Sequence, residues 1–169
     1  RNLTAGYPGS VWAMQWAGDS AALDFLAFEQ GEAALGRVGL DGEPTTRWRA
    51  PVGLHDHFGG QFRARDAEVF AAVRASAASP QEVWAAAPDA AGAPAWRQVS
   101  NLNPQVVRYT LGETRELRWQ APDGLELRGQ LVLPVGYQEG QRVPLVAWVH
   151  GGPAWRWMHG FYGASRQPA

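Results

Sequence analysis

Two stretches of the chain repeat one pattern about 48 residues apart. Between Ser10 and Gly53, short apolar segments alternate with turn residues such as GDS and DGEP, which predicts four short antiparallel strands. The next stretch repeats the scheme, so that Trp48 and Trp96 end equivalent segments. A period of this length with about four strands per unit is typical of β-propeller blades, because one four-stranded sheet cannot bury both faces without neighbours. An ordinary antiparallel sandwich is the alternative.

The alanine-rich segment EVFAAVRASAA, residues 68–78, is compatible with a helix by propensity alone. The turn sequences that follow it, ASP and AAPDAAGAP, restrict the segments here to lengths too short for a stable helix. We therefore predict strands.

Composition restricts the classes of function. The formal net charge is -1 over 169 residues, so no basic excess favours nucleic acid. The apolar runs are far shorter than a membrane span. The absence of cysteine excludes disulfides, thiolate zinc sites and cysteine nucleophiles. Because the first residue is Arg1 and no signal peptide follows it, we expect a missing upstream segment.

The repeat stops around NLNPQVVRYTLGETRE, where Pro104 and Gly112 indicate a connection between units. Beyond it, RELRWQAPDGLELRGQLVLP predicts two strands joined by a turn at Asp123 and Gly124. Residues 145–150, LVAWVH, are apolar nearly throughout, and a strand apolar on both faces is typical of the middle of an α/β sheet.

These segments together resemble the prolyl oligopeptidase family of serine peptidases, and its acylaminoacyl-peptidase-like branch in particular. The resemblance lies in RNLTAG and VSNLN as blade endings, in APDGLELRGQLVLP, and in VHGGP. It implies β-propeller blades, all-β and four-stranded antiparallel, followed by the N-terminal strands of an α/β-hydrolase domain. The implied divisions are residues 1–104 for the C-terminal blades, 105–114 for a linker, and 115–169 for the start of the peptidase domain.

The glycines after the apolar segment are the candidate catalytic groups. Acyl transfer from a serine passes through a negatively charged tetrahedral intermediate, which fixed backbone N–H donors stabilise. The resemblance implies the N–H of Gly152 as the first candidate for an oxyanion donor, with Gly151 second and His150 orienting the loop. A plain turn after a core strand is the structural alternative.

The sequence contains no G-x-S-x-G nucleophile elbow, and GASRQ around Ser165 lacks the second glycine. In this fold the serine, acid and histidine follow the oxyanion loop, so we expect the triad on the remainder of the enzyme, either on the same polypeptide or on a separate chain. This chain alone is then inactive. The resemblance further implies a short peptide substrate, no cofactor, a homo-oligomer and a cytoplasmic location.

Two tryptophans and two histidines are further site candidates. Trp155 and Trp157 follow the glycines and are candidate substrate-binding residues, with core packing as the alternative. His55 and His57 could share one face of a strand as metal ligands, but no third ligand is evident and we predict no metal. A catalytically inactive, propeller-derived binding or oligomerisation module is the alternative function for the whole chain.

Overall fold

The computed structural model describes residues 1–55, 63–64, 67–152 and 156–161. This part of the chain forms ten β-strands and one 3₁₀ helix at Pro104–Arg108. The strands are β1 Gly9–Trp16, β2 Ala22–Glu29, β3 Glu32–Gly39, β4 Thr45–Ala50, β5 Gly53–His55, β6 Phe70–Ser76, β7 Ser79–Pro88, β8 Pro94–Gln98, β9 Thr114–Gln120 and β10 Glu126–Val132.

The first sheet is a four-stranded antiparallel meander in the order β1-β2-β3-β4. Each strand pairs with its neighbour in sequence, and the β2–β3 hairpin closes through Gln30 and Gly31, which both have positive φ. Two consecutive residues with positive φ form a two-residue turn whose twist matches that of the flanking strands. The four strands predicted between Ser10 and Gly53 are confirmed.

The two inner strands of the first sheet, β2 and β3, are buried on both faces. One face, with Leu26 and Leu35, belongs to a cluster that also contains Leu54 and Phe70 of the second sheet. The opposite face packs Phe25 and other apolar residues against Tyr7, which precedes β1. Cover on both faces is consistent with a propeller blade.

The second sheet repeats the first, with the order β5-β6-β7-β8. Residues 70–76 of the alanine-rich segment form β6, so the choice of strand over helix is confirmed. Trp48 and Trp96 lie on the fourth strand of their respective sheets, and their ring centroids are 5.4 Å apart. The repeat seen in the sequence is therefore a repeat of the fold, and we call the two sheets blade 1 and blade 2.

After blade 2, the 3₁₀ helix leads to the antiparallel hairpin of β9 and β10. The predicted turn is present: the Asp123 carboxylate accepts the N–H of Leu125 at 3.1 Å, and Gly124 has φ +85°. The hairpin contacts blade 1, where the Arg128 guanidinium donates to the backbone carbonyl of Gln30. This contact joins the hairpin to the β2–β3 turn.

The prediction of a central strand at residues 145–150 differs from the structure. No helix or strand is assigned at 141–150, and Leu145 and Val149 are 80% and 84% exposed. A strand apolar on both faces needs paired neighbours at both edges and cover on both faces. Because the described residues supply neither, the all-β structure shows blades and a hairpin, and no α/β-hydrolase sheet.

Candidate functional site

The predicted oxyanion loop lies at the end of the exposed apolar segment. Gly151 and Gly152 are exposed, and Gly152 has φ +126°, a conformation that side chains larger than hydrogen rarely adopt. Nothing lies within 4 Å of the place where a Cβ of Gly151 would stand. The Nδ1 atom of His150 is 3.1 Å from the Gly151 carbonyl oxygen, so this histidine contacts the loop itself.

Two tryptophans close this loop at its base. The indole N–H of Trp157 donates to the backbone carbonyl of Trp148 at 3.0 Å, and the two rings meet edge to face at 6.0 Å. Both of these contacts of Trp157 are with the chain that precedes the glycines, and its role in substrate binding stays a prediction. Trp155 lies outside the described residues.

The segment after the loop reaches blade 1 through Arg156. Its guanidinium carbon lies 4.1 Å from the ring centroid of Phe28, which is stacked on Trp12 at 5.9 Å. Partial burial lowers the pKa of Arg156 from its ordinary value. Sequence reasoning did not select Arg156 or Phe28, because strand alternation assigns Phe28 only to a packed face.

The same segment also contacts the hairpin. The side-chain nitrogen of Gln130 lies 2.8 Å from His159 Nδ1, and His159 Nε2 lies 3.7 Å from a carboxylate oxygen of Glu116. Residues 156–159 therefore touch blade 1 at one end and the β9–β10 hairpin at the other. This region brings the candidate loop, the blade and the hairpin together.

A buried charge cluster joins the two blades away from this loop. Asp24 is 0% exposed, and its carboxylate is 2.8 Å from Nε of Arg63, which is 6% exposed. Arg37 and Arg47 approach the same carboxylate at 3.6 and 4.0 Å. Both also bind Glu68, whose pKa is lowered by the hydrogen bond from Arg47. The signal for this cluster was a single aspartate in the apolar run ALDFLAFE, and sequence reasoning missed it.

A cleft of about 790 Å³ lies between blade 2 and the 3₁₀ helix. At its edge Glu82, which is almost fully buried, accepts backbone N–H groups of Leu102 at 2.8 Å and Asn103 at 3.0 Å. Hydrogen bonds from Ser100 and from the Leu102 backbone lower the pKa of Glu82. This carboxylate fixes the chain where it leaves the blade.

The histidines considered as metal ligands are not brought together with other ligands in the described part of the structure. His57 and the side chain of His55 lie outside the described residues, and the part of the chain that is described contains no group of three His, Asp or Glu residues able to hold a metal ion. No helix within the described ranges is long and apolar enough to cross a membrane.

Solved structures resemble this chain. The AtxE2 isopeptidase with Astexin3-dC4 bound matches with a TM-score of 0.66 and 24% identity over 90% of this chain, and its apo form matches with a TM-score of 0.62 and 24% identity over 80%. Acylaminoacyl peptidase in complex with Z-Gly-Gly-Phe-chloromethyl ketone gives a TM-score of 0.65 and 21% identity over 95%. No protein-family model matches the chain, and no curated protein matches it significantly.

These matches define a fold. The two stacked sheets correspond to the propeller portion of peptidases of the prolyl oligopeptidase (S9) family. The chain spans 22%, 20% and 23% of the lengths of the three matched chains.

Proposed function

We propose that this chain is part of a serine peptidase of the prolyl oligopeptidase family. In the proposal, residues 1–104 are the last propeller blades, 105–114 a linker and 115–169 the beginning of an α/β-hydrolase domain. The observation that carries it is the order of elements along one chain: two stacked four-stranded sheets, a hairpin, then an apolar segment ending in His150, Gly151 and Gly152.

The exposed apolar segment at residues 145–150 supports the proposal that a further sheet packs on it. Leu145, Val146 and Val149 are 80%, 72% and 84% exposed, and Trp148 is 47% exposed. Burying one such side chain stabilises a protein by about 1.5–3 kcal/mol. A run of exposed apolar side chains therefore supports a strand whose neighbouring strands are not among the described residues. In the proposal that sheet belongs to the hydrolase domain and carries the serine, acid and histidine outside these 169 residues.

Two properties of the glycine loop support the assignment of an oxyanion donor there. Gly151 and Gly152 are exposed, and the φ of +126° at Gly152 is accessible to glycine. A fixed backbone N–H lowers the barrier to acyl transfer by about 3–4 kcal/mol, because it meets the developing charge without reorganising. We assign the Gly152 N–H this role, Gly151 the second position, and His150 the orientation of the loop.

The proposed substrates are short peptides. Two of the similar structures are an isopeptidase with Astexin3-dC4 bound and a peptidase in complex with Z-Gly-Gly-Phe-chloromethyl ketone. In this proposal the blades limit access to the reaction centre and Trp157, with Trp155, borders it. The homo-oligomeric state and cytoplasmic location rest on the family resemblance alone.

Replacement of Gly152 by proline in the complete peptidase tests the assignment. Proline removes the N–H, so we expect kcat for hydrolysis of a short chromogenic peptide to fall about 100- to 1,000-fold with KM changed little. Gly140→Pro is the matched control, since Gly140 is also exposed, has φ +84° and also follows the hairpin in sequence. Both variants strain a loop, but only Gly152→Pro removes the proposed donor.

Equal turnover in the two proline variants would remove Gly152 from the reaction centre. A fall in kcat confined to Gly152→Pro, with the melting temperature equal to that of Gly140→Pro, would support the donor role.

A further inference from the structure

Arg156 is held on blade 1 by an aromatic surface. Its guanidinium stands over the ring of Phe28 at 4.1 Å, and the Trp12 ring is stacked with the same Phe28 ring at an interplanar angle of 21°. Phe28 and Trp12 both pack against the core shared by the two blades. The surface that receives Arg156 is therefore part of the rigid blade pair.

No ion pair of Arg156 is found within the described ranges. Arg128, by contrast, pairs with Glu126 at 2.8 Å and reaches Glu116 at 3.7 Å. A guanidinium within about 6 Å of an aromatic centroid is attracted by the ring quadrupole, and the attraction increases when the cation is partly removed from water. Among the described residues, the Arg156 guanidinium thus contacts the ring of Phe28.

Arg156 follows Gly152 by four residues, and the next residue, Trp157, binds back to the Trp148 carbonyl. The chain that follows the glycine loop is thereby connected to blade 1, through Arg156, and to the chain that precedes the loop, through Trp157. A displacement of about 1 Å at a reaction centre can lower turnover about 100-fold, so a contact that fixes such a loop has catalytic consequences.

We propose that Phe28 is a positioning residue: through Arg156, blade 1 holds the loop of Gly151 and Gly152 in place. This inference deepens the proposed function and rests on it where turnover is concerned. The contact itself is independent of that function and can be tested in this chain alone.

The rate of limited trypsin cleavage after Arg156 in the 169-residue chain tests the contact between Arg156 and Phe28. To be cut after Arg156, the side chain must leave the Phe28 ring, so the cleavage rate follows the population of the open state. We expect Phe28→Leu to accelerate this cleavage about two- to fivefold, the range that corresponds to loss of a cation–π contact. Phe28→Tyr keeps the ring and should cleave as the parent does. Cleavage after the exposed Arg97 and Arg108 serves as the internal control.

An unchanged rate after Arg156 in Phe28→Leu would overturn the proposal. Equal acceleration at Arg97 and Arg108 would do so as well, because Phe28 would then only stabilise the blade.

Turnover of the complete peptidase tests the positioning role. We expect Phe28→Leu and Arg156→Gln each to lower kcat about tenfold with KM nearly unchanged, and the double variant to be no slower than either one. Arg97→Gln is the control. If Gly152→Pro lowers kcat but these two variants do not, the positioning role is wrong. If Gly152→Pro has no effect while the trypsin result holds, the proposed function fails and the contact stands.

Discussion

The blade pair and the chain after residue 140 use apolar residues in opposite ways. In the blades, Leu26 and Leu35 are 1% and 0% exposed, and strands adjacent in sequence are also adjacent in space. After the hairpin, an apolar segment of similar character remains largely exposed and forms no strand. A meander finds its partners within a few residues, whereas a central strand of a parallel sheet depends on distant segments. Within the described residues, apolar segments therefore form strands where their pairing partners are close in sequence.

The largest expected effect concerns charge burial in the two regions. Asp24→Asn removes the buried negative charge that Arg63, Arg37 and Arg47 all approach, so we expect the free energy of unfolding to fall by about 3–5 kcal/mol. Glu126→Gln removes an ion pair from the exposed hairpin and should cost at most about 1 kcal/mol. Urea unfolding of both variants measures the difference. Similar losses would show that the Asp24 cluster does not join the blades.

Leucine truncation sharpens the contrast in packing. Leu35→Ala opens a cavity between the two blades and should lower the free energy of unfolding by about 2–5 kcal/mol. Leu145→Ala makes the same chemical change at an 80% exposed site, where we expect a change within about 0.5 kcal/mol. Both values come from chemical denaturation of the same chain. A large loss for Leu145→Ala would mean that the segment is packed after all.

The pH dependence of stability should differ between the buried carboxylate of Glu29 and the exposed carboxylate of Glu113. Glu29 accepts hydrogen bonds from Tyr7 and Arg49, each at 2.9 Å, and from Thr46. Burial raises the pKa of Glu29, but these bonds outweigh burial and lower its pKa overall. Burial raises the pKa of Tyr7 to about 12, so its hydroxyl stays a donor at neutral pH.

A carboxylate with a lowered folded-state pKa stabilises the protein above its unfolded-state value and loses that contribution as the pH falls through the lowered value. The stability of the parent should therefore fall below about pH 4.5, the ordinary glutamate value, and Glu29→Gln should fall less steeply. The pKa of Glu113 is also lowered, by its hydrogen bond from Arg115, but its side chain is 60% exposed. We expect 1 M salt to abolish the effect of Glu113→Gln and to preserve that of Glu29→Gln. Equal salt sensitivity would contradict the assignment.

The strands of the blades could be predicted because their alternation and turns are local. Residues 9–50 have apolar runs bounded by turn residues, and the Asp123-Gly124 turn defines the hairpin by itself. Strand β5 was missed because three residues, Gly53–His55, carry too little pattern. Contacts between units were missed for another reason: neither Asp24 with Arg63 nor Phe28 with Arg156 has a periodic signature, since each pair joins segments far apart in sequence.

The position of the glycine loop after an apolar segment was read from the sequence, and its role remains a prediction. Gly152 has the backbone conformation that favours glycine, but an oxyanion donor is defined by the reacting atoms it faces. Those atoms belong, in our proposal, to polypeptide outside these 169 residues.

The most direct measurement is active-site labelling of the purified protein with a fluorophosphonate, followed by intact mass and peptide mapping. The account predicts that the label appears on a serine of a G-x-S-x-G sequence outside these 169 residues, on polypeptide that copurifies with or continues this chain. A label on Ser165 would contradict it, and so would a native preparation in which the folded 18.4 kDa chain occurs with no labelled polypeptide that accompanies or continues it. The second result would favour a binding module built from propeller blades.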